Sequence, residues 1–411
     1  MSRLLSATSP VMVMVLAALT ALGPLATDIY LPAMPAMGEA LDTGPDQVQL
    51  TLSIYMAGFA LAQLVCGPLS DRFGRKPIMV IGIALFLVAS LVCALSTRIE
   101  LLWVGRFLQA FGGAVGPVLG RAAVRDIHGP TEAAKTLSYI ASTMALAPAV
   151  APLLGSGLLL LFGWQAVFFF LAAYAAIMLI VVVLLLPESL PAERRQSVHP
   201  SAILSNFRML LGQRAFVGHT LTNAAGFSGL FAFLSGSSFV LIEFMQLSPP
   251  RYGLWFSMIV LGFFLGTLFS GRYSHRLGRE RLLSLSTVLC LLGGGSMILL
   301  AFNEIFVPLA VIGPHMLYMA GFGILMPQTM GGALAPNPQC AGSASSLFGF
   351  IQMTVAAAAG AVVGQLHDGT SRTMALVIGV AGFAALLSYW LVARPADMQP
   401  VHRDASVSAW K

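Results

Sequence analysis

Long apolar runs, each interrupted by a few polar residues, follow one another from Val11 to Arg394. A hydrocarbon core about 30 Å thick is crossed by about 20 apolar residues in a helix. By that measure the pattern predicts twelve spans. Six lie near residues 11–36, 48–69, 77–97, 101–122, 136–160 and 164–186, and six near 216–241, 252–271, 282–302, 305–333, 341–365 and 373–394. One connection is long. Residues 187–215, PESLPAERRQSVHPSAILSNFRMLLGQRA, are rich in Pro, Ser and charge and read as a linker with a short surface helix over 202–211. The residues after Arg394 are polar and read as a tail without regular structure.

The densest polar interruption is GPLSDRFGRKP at residues 67–77. Asp71, Arg72, Arg75 and Lys76 cannot enter hydrocarbon, so they fix a turn at the water boundary. Gly67 permits a close helix approach, and Pro77 suits the first turn of the next helix. The pattern returns as GRYSHRLGRER at 271–281, an offset of 204 in a chain of 411 residues. Gly67, Ser70, Arg72, Gly74 and Arg75 meet Gly271, Ser274, Arg276, Gly278 and Arg279 in identical spacing. A half-length offset implies two parallel repeats, an arrangement found in secondary transporters. The expected fold is an all-α membrane protein with twelve transmembrane helices in two pseudo-symmetric six-helix bundles. The first bundle takes residues 1–186, the linker 187–215, the second bundle 216–394 and a cytoplasmic tail 395–411.

Composition supports this reading. With 57% hydrophobic and 9% charged residues, the chain departs from soluble domains, in which about a quarter of residues are charged. Placing both termini in the cytoplasm puts eighteen of the 22 Lys and Arg residues on the cytoplasmic side, as cytoplasmic loops favour. Arg98, Arg251 and Arg372 then face outward, and Arg106 lies within a span. The formal charge of +6 comes from small clusters at span ends, without the continuous basic stripe that nucleic acid binding requires. Cys66, Cys93 and Cys290 fall in or beside apolar runs and Cys340 in a short loop, so the four cysteines read as packing residues. The first apolar run contains Asp28 and continues to Pro35 without a clear cleavage site, which favours a first span over a signal peptide.

Ionisable groups inside spans are costly and are functional candidates. Asp28, in ATDIYLPAMP, is the one acid well inside a span; burial deprives its ionised form of water, which suits it to taking up and releasing a proton. It could equally cap a helix break beside Pro32. Arg106 shares a helical face with Gln109, Gly113 and Pro117, a face expected to look into a central cavity, although the cation could instead snorkel or bond to backbone. In ALAPAVAPLLGSG, Pro148 and Pro152 remove helix hydrogen bonds and Gly155 allows close packing, so this span should bend. Aromatic, Met and amide residues recur at helical spacing: Tyr55, Phe59 and Gln63; Asn223, Phe227 and Phe231; His315, Met319, Phe322 and Met326; Ser345, Phe348 and Gln352. Soft apolar surfaces of this kind accept varied amphipathic molecules. Plain packing explains most of these positions as well, and only the amides Gln63, Asn223 and Gln352, costly against lipid, tilt toward a cavity.

No phosphate-binding loop, zinc motif, CxxC pair or nucleophile elbow is present in the sequence. The chain resembles the major facilitator superfamily, and within it the drug/proton antiporters of the bicyclomycin- and chloramphenicol-resistance branch. GPLSDRFGRKP is similar to the superfamily's loop between spans two and three, RFLQAFGGA to its fourth-span arginine motif, and APLLGSG to its antiporter motif. TDIYLPAMP, VQLTLS, AAVRDIHG and PESLP carry the likeness to the branch. The resemblance implies proton coupling through Asp28 and Arg106 and a gating loop of Gly67, Asp71, Arg72, Gly74 and Arg75. It also implies a bent antiporter helix at Pro148, Pro152 and Gly155. Tyr30, Tyr55, Gln63, Gln109, Asn223, Phe227, Phe231 and Gln352 are the expected lining of the substrate cavity. The antiporter motif departs at Ala151 and Ser156, where glycines are common, and Thr20 stands where some related exporters have a second acid. The expected activity is proton-coupled efflux of small amphipathic molecules across a bacterial-type inner membrane, driven by the proton gradient without a cofactor or metal. Expected partners are the substrate, protons and lipid, with no nucleic acid and one copy sufficing. A proton-linked uptake carrier is the alternative within transport; a receptor or membrane enzyme is the alternative outside it.

Overall fold

The computed structural model describes residues 10–127, 148–191, 193, 195, 200–337 and 340–398. All regular structure among them is helical. In chain order the helices are α1 (Pro10–Asp28), α2 (Met34–Ala40), α3 (Pro45–Phe73), α4 (Arg75–Ala94) and α5 (Ile99–Ile127). Then come α6 (Pro148–Phe162), α7 (Gln165–Leu185), α8 (Pro200–Leu211), α9 (Arg214–Ser238) and α10 (Pro249–Phe302). The last are α11 (Pro308–Leu334), α12 (Ala341–Gln365), α13 (Arg372–Ser388) and α14 (Arg394–Asp397). Among the described residues ten helical segments are long and apolar enough to cross a membrane. One of them, α10, has 54 residues and turns at Gly278 (φ 73°, ψ 165°) into two limbs that each span once. With the shorter apolar α6, the predicted twelve spans are accounted for, although residues 136–147 of the fifth lie outside the described residues.

Local chemistry sets the ends. Pro45, Pro249 and Pro308 stand in the first turns of α3, α10 and α11, where a missing amide costs nothing. Gly74 (φ 102°) turns the chain sharply between α3 and α4, a conformation that a side chain would resist. The expected surface helix in the linker is α8. The tail differs from expectation in its first turn: Arg394–Asp397 is helical because its charges find partners, Arg394 on Glu280 at 2.7 Å and Asp397 on His219 at 3.1 Å. Residues 399–411 lie outside the described residues.

α1, α3, α4, α5 and α7 pack together, as do α9 to α13, and α3 of the first group lies along α12 of the second. The loops holding residues 71–76 and 272–281 share one face of the molecule, called here the charged face. Four hydrogen bonds join the two bundles among the described residues: Ser156 to Pro249 (2.8 Å), Ser257 to Ala149 (2.9 Å), Ser238 to Leu31 (2.6 Å) and Ser235 to Gln49 (3.3 Å). All four lie toward the face opposite the charged one.

Candidate functional site

The first helix breaks at the residue flagged by the sequence. α1 ends at Asp28, the chain turns through Ile29 and Tyr30, and a short 3-10 turn, Leu31–Ala33, carries Pro32 before α2 begins. Proline at 32 cannot donate to a continuing helix, so the break is local chemistry. Asp28 is 5% exposed and accepts a hydrogen bond from the Thr27 hydroxyl at 2.9 Å. Among the described residues no basic nitrogen comes within 4.0 Å of its carboxylate, so the Asp28–Arg106 pair that the sequence allows is not formed in this conformation.

Arg106 is fully buried on α5. Its guanidinium carbon lies 4.4 Å from the ring centre of Tyr30 and 4.3 Å from that of Tyr55, a cation held by two aromatic rings, one from the turn after α1 and one from α3. Nη1 donates to the Ala26 carbonyl at 3.0 Å and to Gln109 Oε1 at 2.6 Å. Gln109 in turn donates to Ser90 on α4 at 2.8 Å. Tyr30 and Thr51 hydroxyls meet at 3.3 Å, and the Tyr55 hydroxyl donates to the Gly23 carbonyl at 3.4 Å. Nε and Nη2 of Arg106 have no hydrogen-bond partner among the described residues. Four predicted residues, Tyr30, Tyr55, Arg106 and Gln109, thus form one unit directly after the helix break at Asp28.

α6 supports that break. Gly155 is pressed so closely on the backbone of Ile29 that a Cβ there would overlap the Ile29 carbonyl. Pro152 is buried, and Pro148 opens the described part of the helix. Ser156, where the resembled motif commonly has glycine, donates to Pro152 at 2.7 Å and across the bundle interface to Pro249.

On the charged face, Arg75 is the centre of a network: Nη1 to Asp71 at 2.6 Å and to the Ser70 hydroxyl at 2.6 Å, and Nε to Asp126 at 2.9 Å. Arg72 lies beside Phe73, and nothing approaches within 4 Å of a Cβ built at Gly67. The sequence reading missed two partners. Asp126 lies in AAVRDIHG, and Glu188 lies in PESLP, where its carboxylate receives the first two amides of α4, from Arg75 (3.0 Å) and Lys76 (3.2 Å). A carboxylate at a helix N-terminus satisfies unpaired donors and complements the helix dipole. The cue available was a lone acid directly after the sixth span.

The remaining cavity candidates separate. Gln63 of α3 faces α12, where a Cβ on Gly349 would strike its Oε1, and Gln352 is buried one turn further along α12. Asn223 is held inside the second bundle, its amide donating to Thr329 on α11 at 2.9 Å, with Oδ1 unpartnered among the described residues. Phe227 packs on Phe231 (5.5 Å) and on Phe322 (5.9 Å) within the same bundle.

A sequence model described as Major Facilitator Superfamily matches residues 16–361. The chain belongs to that superfamily. It is 29% identical over 388 residues to a Haemophilus influenzae protein named bicyclomycin resistance protein homolog, covering 93% of this chain and 96% of the relative. It is 27% identical over 380 residues to the Escherichia coli multidrug resistance protein D, covering 92% and 95%. A solved bacterial homologue of the human lysosomal transporter Spinster, inward-facing and occupied, superposes with a TM-score of 0.76 at 14% identity, over 93% of this chain and 96% of the other. This member of the superfamily is therefore a multi-pass membrane transporter rather than an enzyme, with drug-resistance proteins among its relatives.

Proposed function

We propose that this chain exports small amphipathic molecules from the cytoplasm across the bacterial inner membrane in exchange for protons. One observation carries the reading: a buried carboxylate, Asp28, ends a broken helix two residues from Tyr30, whose ring covers the buried Arg106, without being paired to that cation. A carboxylate that a cation does not neutralise is free to bind a proton, and its ionised form becomes available to a cationic or hydrogen-bonding cargo. Proton and cargo compete, and each favours a different facing state. The names of the relatives support drug-like cargo, and the basic loops support a cytoplasmic assignment for the charged face and both termini. In that orientation the four hydrogen bonds between bundles lie toward the outer side. The Arg75 network ties α3 to α5 at the inner ends of the same bundle.

The test uses inverted membrane vesicles with an acid interior and a pH-sensitive dye inside. Adding a drug to an exporter of this kind draws it into the lumen and releases protons, so the dye reports alkalinisation. An uptake carrier would carry protons in the same direction as the added cargo and give no such signal.

A further inference from the structure

The two bundles can be placed in register from their own close contacts. A Cβ on Gly58 of α3 would meet the Phe107 carbonyl of α5 at 2.9 Å, and one on Gly262 of α10 would meet the Met316 carbonyl of α11 at 2.5 Å. Gly112 of α5 presses on the Gly82 carbonyl and Phe86 amide of α4; Gly321 of α11 presses on the Ser286 carbonyl and Cys290 amide of the second limb of α10. Gly23 of α1 faces the Gly113 carbonyl, and Gly226 of α9 faces Phe322. These contacts match α3 and α4 to the two limbs of α10 at an offset of 204, α5 to α11 at 209 and α1 to α9 at 203.

In this register the counterpart of Arg106 is His315 and the counterpart of Tyr30 is Phe233. The side chains agree. Phe233 stacks on His315 with ring centres 4.1 Å apart and planes 15° from parallel, as Tyr30 covers Arg106. Tyr318 lies beside the imidazole, with ring centres 5.7 Å apart and planes 8° from parallel, and its hydroxyl donates to the Gly226 carbonyl at 3.0 Å. Tyr55 does the same to Gly23, the counterpart of Gly226. His315 is fully buried, and neither ring nitrogen has a hydrogen-bond partner among the described residues. Buried polar groups are ordinarily hydrogen-bonded, and a third aromatic hydrocarbon ring would fill this stack without the cost of a bare imidazole. The site also connects to the bundle interface. Tyr252 bonds Ser237, beside Ser238 and its bond to Leu31, and its ring leads through Phe256 (6.0 Å) to Phe233 (6.1 Å).

We propose that His315 is the substrate contact of the second bundle, hydrogen-bonding through its ring edge to a hydroxyl or amide group of the transported molecule. Phe233 occupies a ring face, and the two unpartnered nitrogens lie at the ring edge, so recognition is at the edge. A neutral imidazole offers one donor and one acceptor there, which a hydroxyl or amide can match and a lipophilic cation without such groups cannot. The proposal rests on the export reading above and narrows its substrate class.

Equilibrium binding to the purified full chain tests it, with two probes: bicyclomycin, which carries hydroxyls and amides, and tetraphenylphosphonium, which carries neither. His315→Phe keeps the stack and should weaken bicyclomycin binding about tenfold, leaving tetraphenylphosphonium binding unchanged. His315→Gln restores a donor and an acceptor and should recover most of the loss. Equal bicyclomycin binding by wild type and His315→Phe would overturn the assignment, as would equal loss of both probes, the sign of a packing defect. Unchanged bicyclomycin affinity with an altered pH dependence would overturn the contact and make His315 a proton site instead. Failure of the wild type to bind either probe would overturn the export reading itself, and the assignment with it.

Discussion

At the scale of single residues, the chemistry is concentrated in a few buried polar groups whose partners decide their roles. Arg106 combines one shared nitrogen, two ring faces and a bonded glutamine, and a lysine cannot reproduce this because its ammonium has neither the plane nor the reach of a guanidinium. Arg106→Lys should therefore lower drug-dependent transport in vesicles at least about tenfold, the loss of one desolvated cation–aromatic contact, with the amount of protein in the membrane unchanged. Transport at the wild-type rate would show that only the charge matters. Asp28 and Arg106 were legible in the sequence because an ionisable residue in an apolar run stands out whatever the fold. Their separation was not, since spacing along a helix does not give depth to within a turn. His315 shows the limit from another side. The loop repeat gives an offset of 204, which would pair Arg106 with Ala310; only the contacts of α5 and α11 reveal the five extra residues that bring His315 into the matching place.

At the scale of elements, close backbone packing transmits the site's shape. Gly155 of α6 holds the turn after Asp28, and the smallest side chain added there would have to displace backbone rather than a flexible side chain. Gly155→Ala should leave the chain inserted but reduce transport severalfold and lower its melting temperature, both measurable in purified protein; an alanine variant with full transport and unchanged melting would remove α6 from the account. That Gly155 allows close packing was readable from sequence, whereas the backbone of Ile29 that it presses on was not. The same holds for Glu188: a linker acid is visible in the sequence, but its place over the first amides of α4 depends on how the sixth span returns to the charged face. The twelve-span count was readable because hydrocarbon thickness fixes helix length. The turn at Gly278 between the two limbs of α10 was readable as well, because the polar stretch 271–281 separates two apolar runs and repeats the pattern around Gly74.

At the scale of the whole molecule, the conformation is set by which end of the bundle interface is joined, and periodicity carries no information about that. The joined end can be locked. A Cβ on Gly364 of α12 would lie 3.1 Å from the Gln49 Cβ of α3, near the ~3.5–4.5 Å range of disulfides. Replacing Cys66, Cys93, Cys290 and Cys340, all free, and introducing Gln49→Cys with Gly364→Cys should give a protein that cross-links under mild oxidation. Transport should stop on oxidation and return on reduction. Full transport by the oxidised form would mean that the two bundles do not separate at this end during the cycle.

The central claim is that proton and cargo compete through Asp28, and proton release on drug binding measures it most directly. Asparagine keeps the shape of the side chain and an oxygen for Thr27, so Asp28→Asn should fold as the wild type does. In weakly buffered detergent solution, adding drug to the wild type should release protons, and drug affinity should rise with pH because the ionised carboxylate is the competent form. Asp28→Asn should release none, and its drug affinity should not vary with pH over the same range. Equal proton release by the two proteins would contradict the account and place the coupling on another residue.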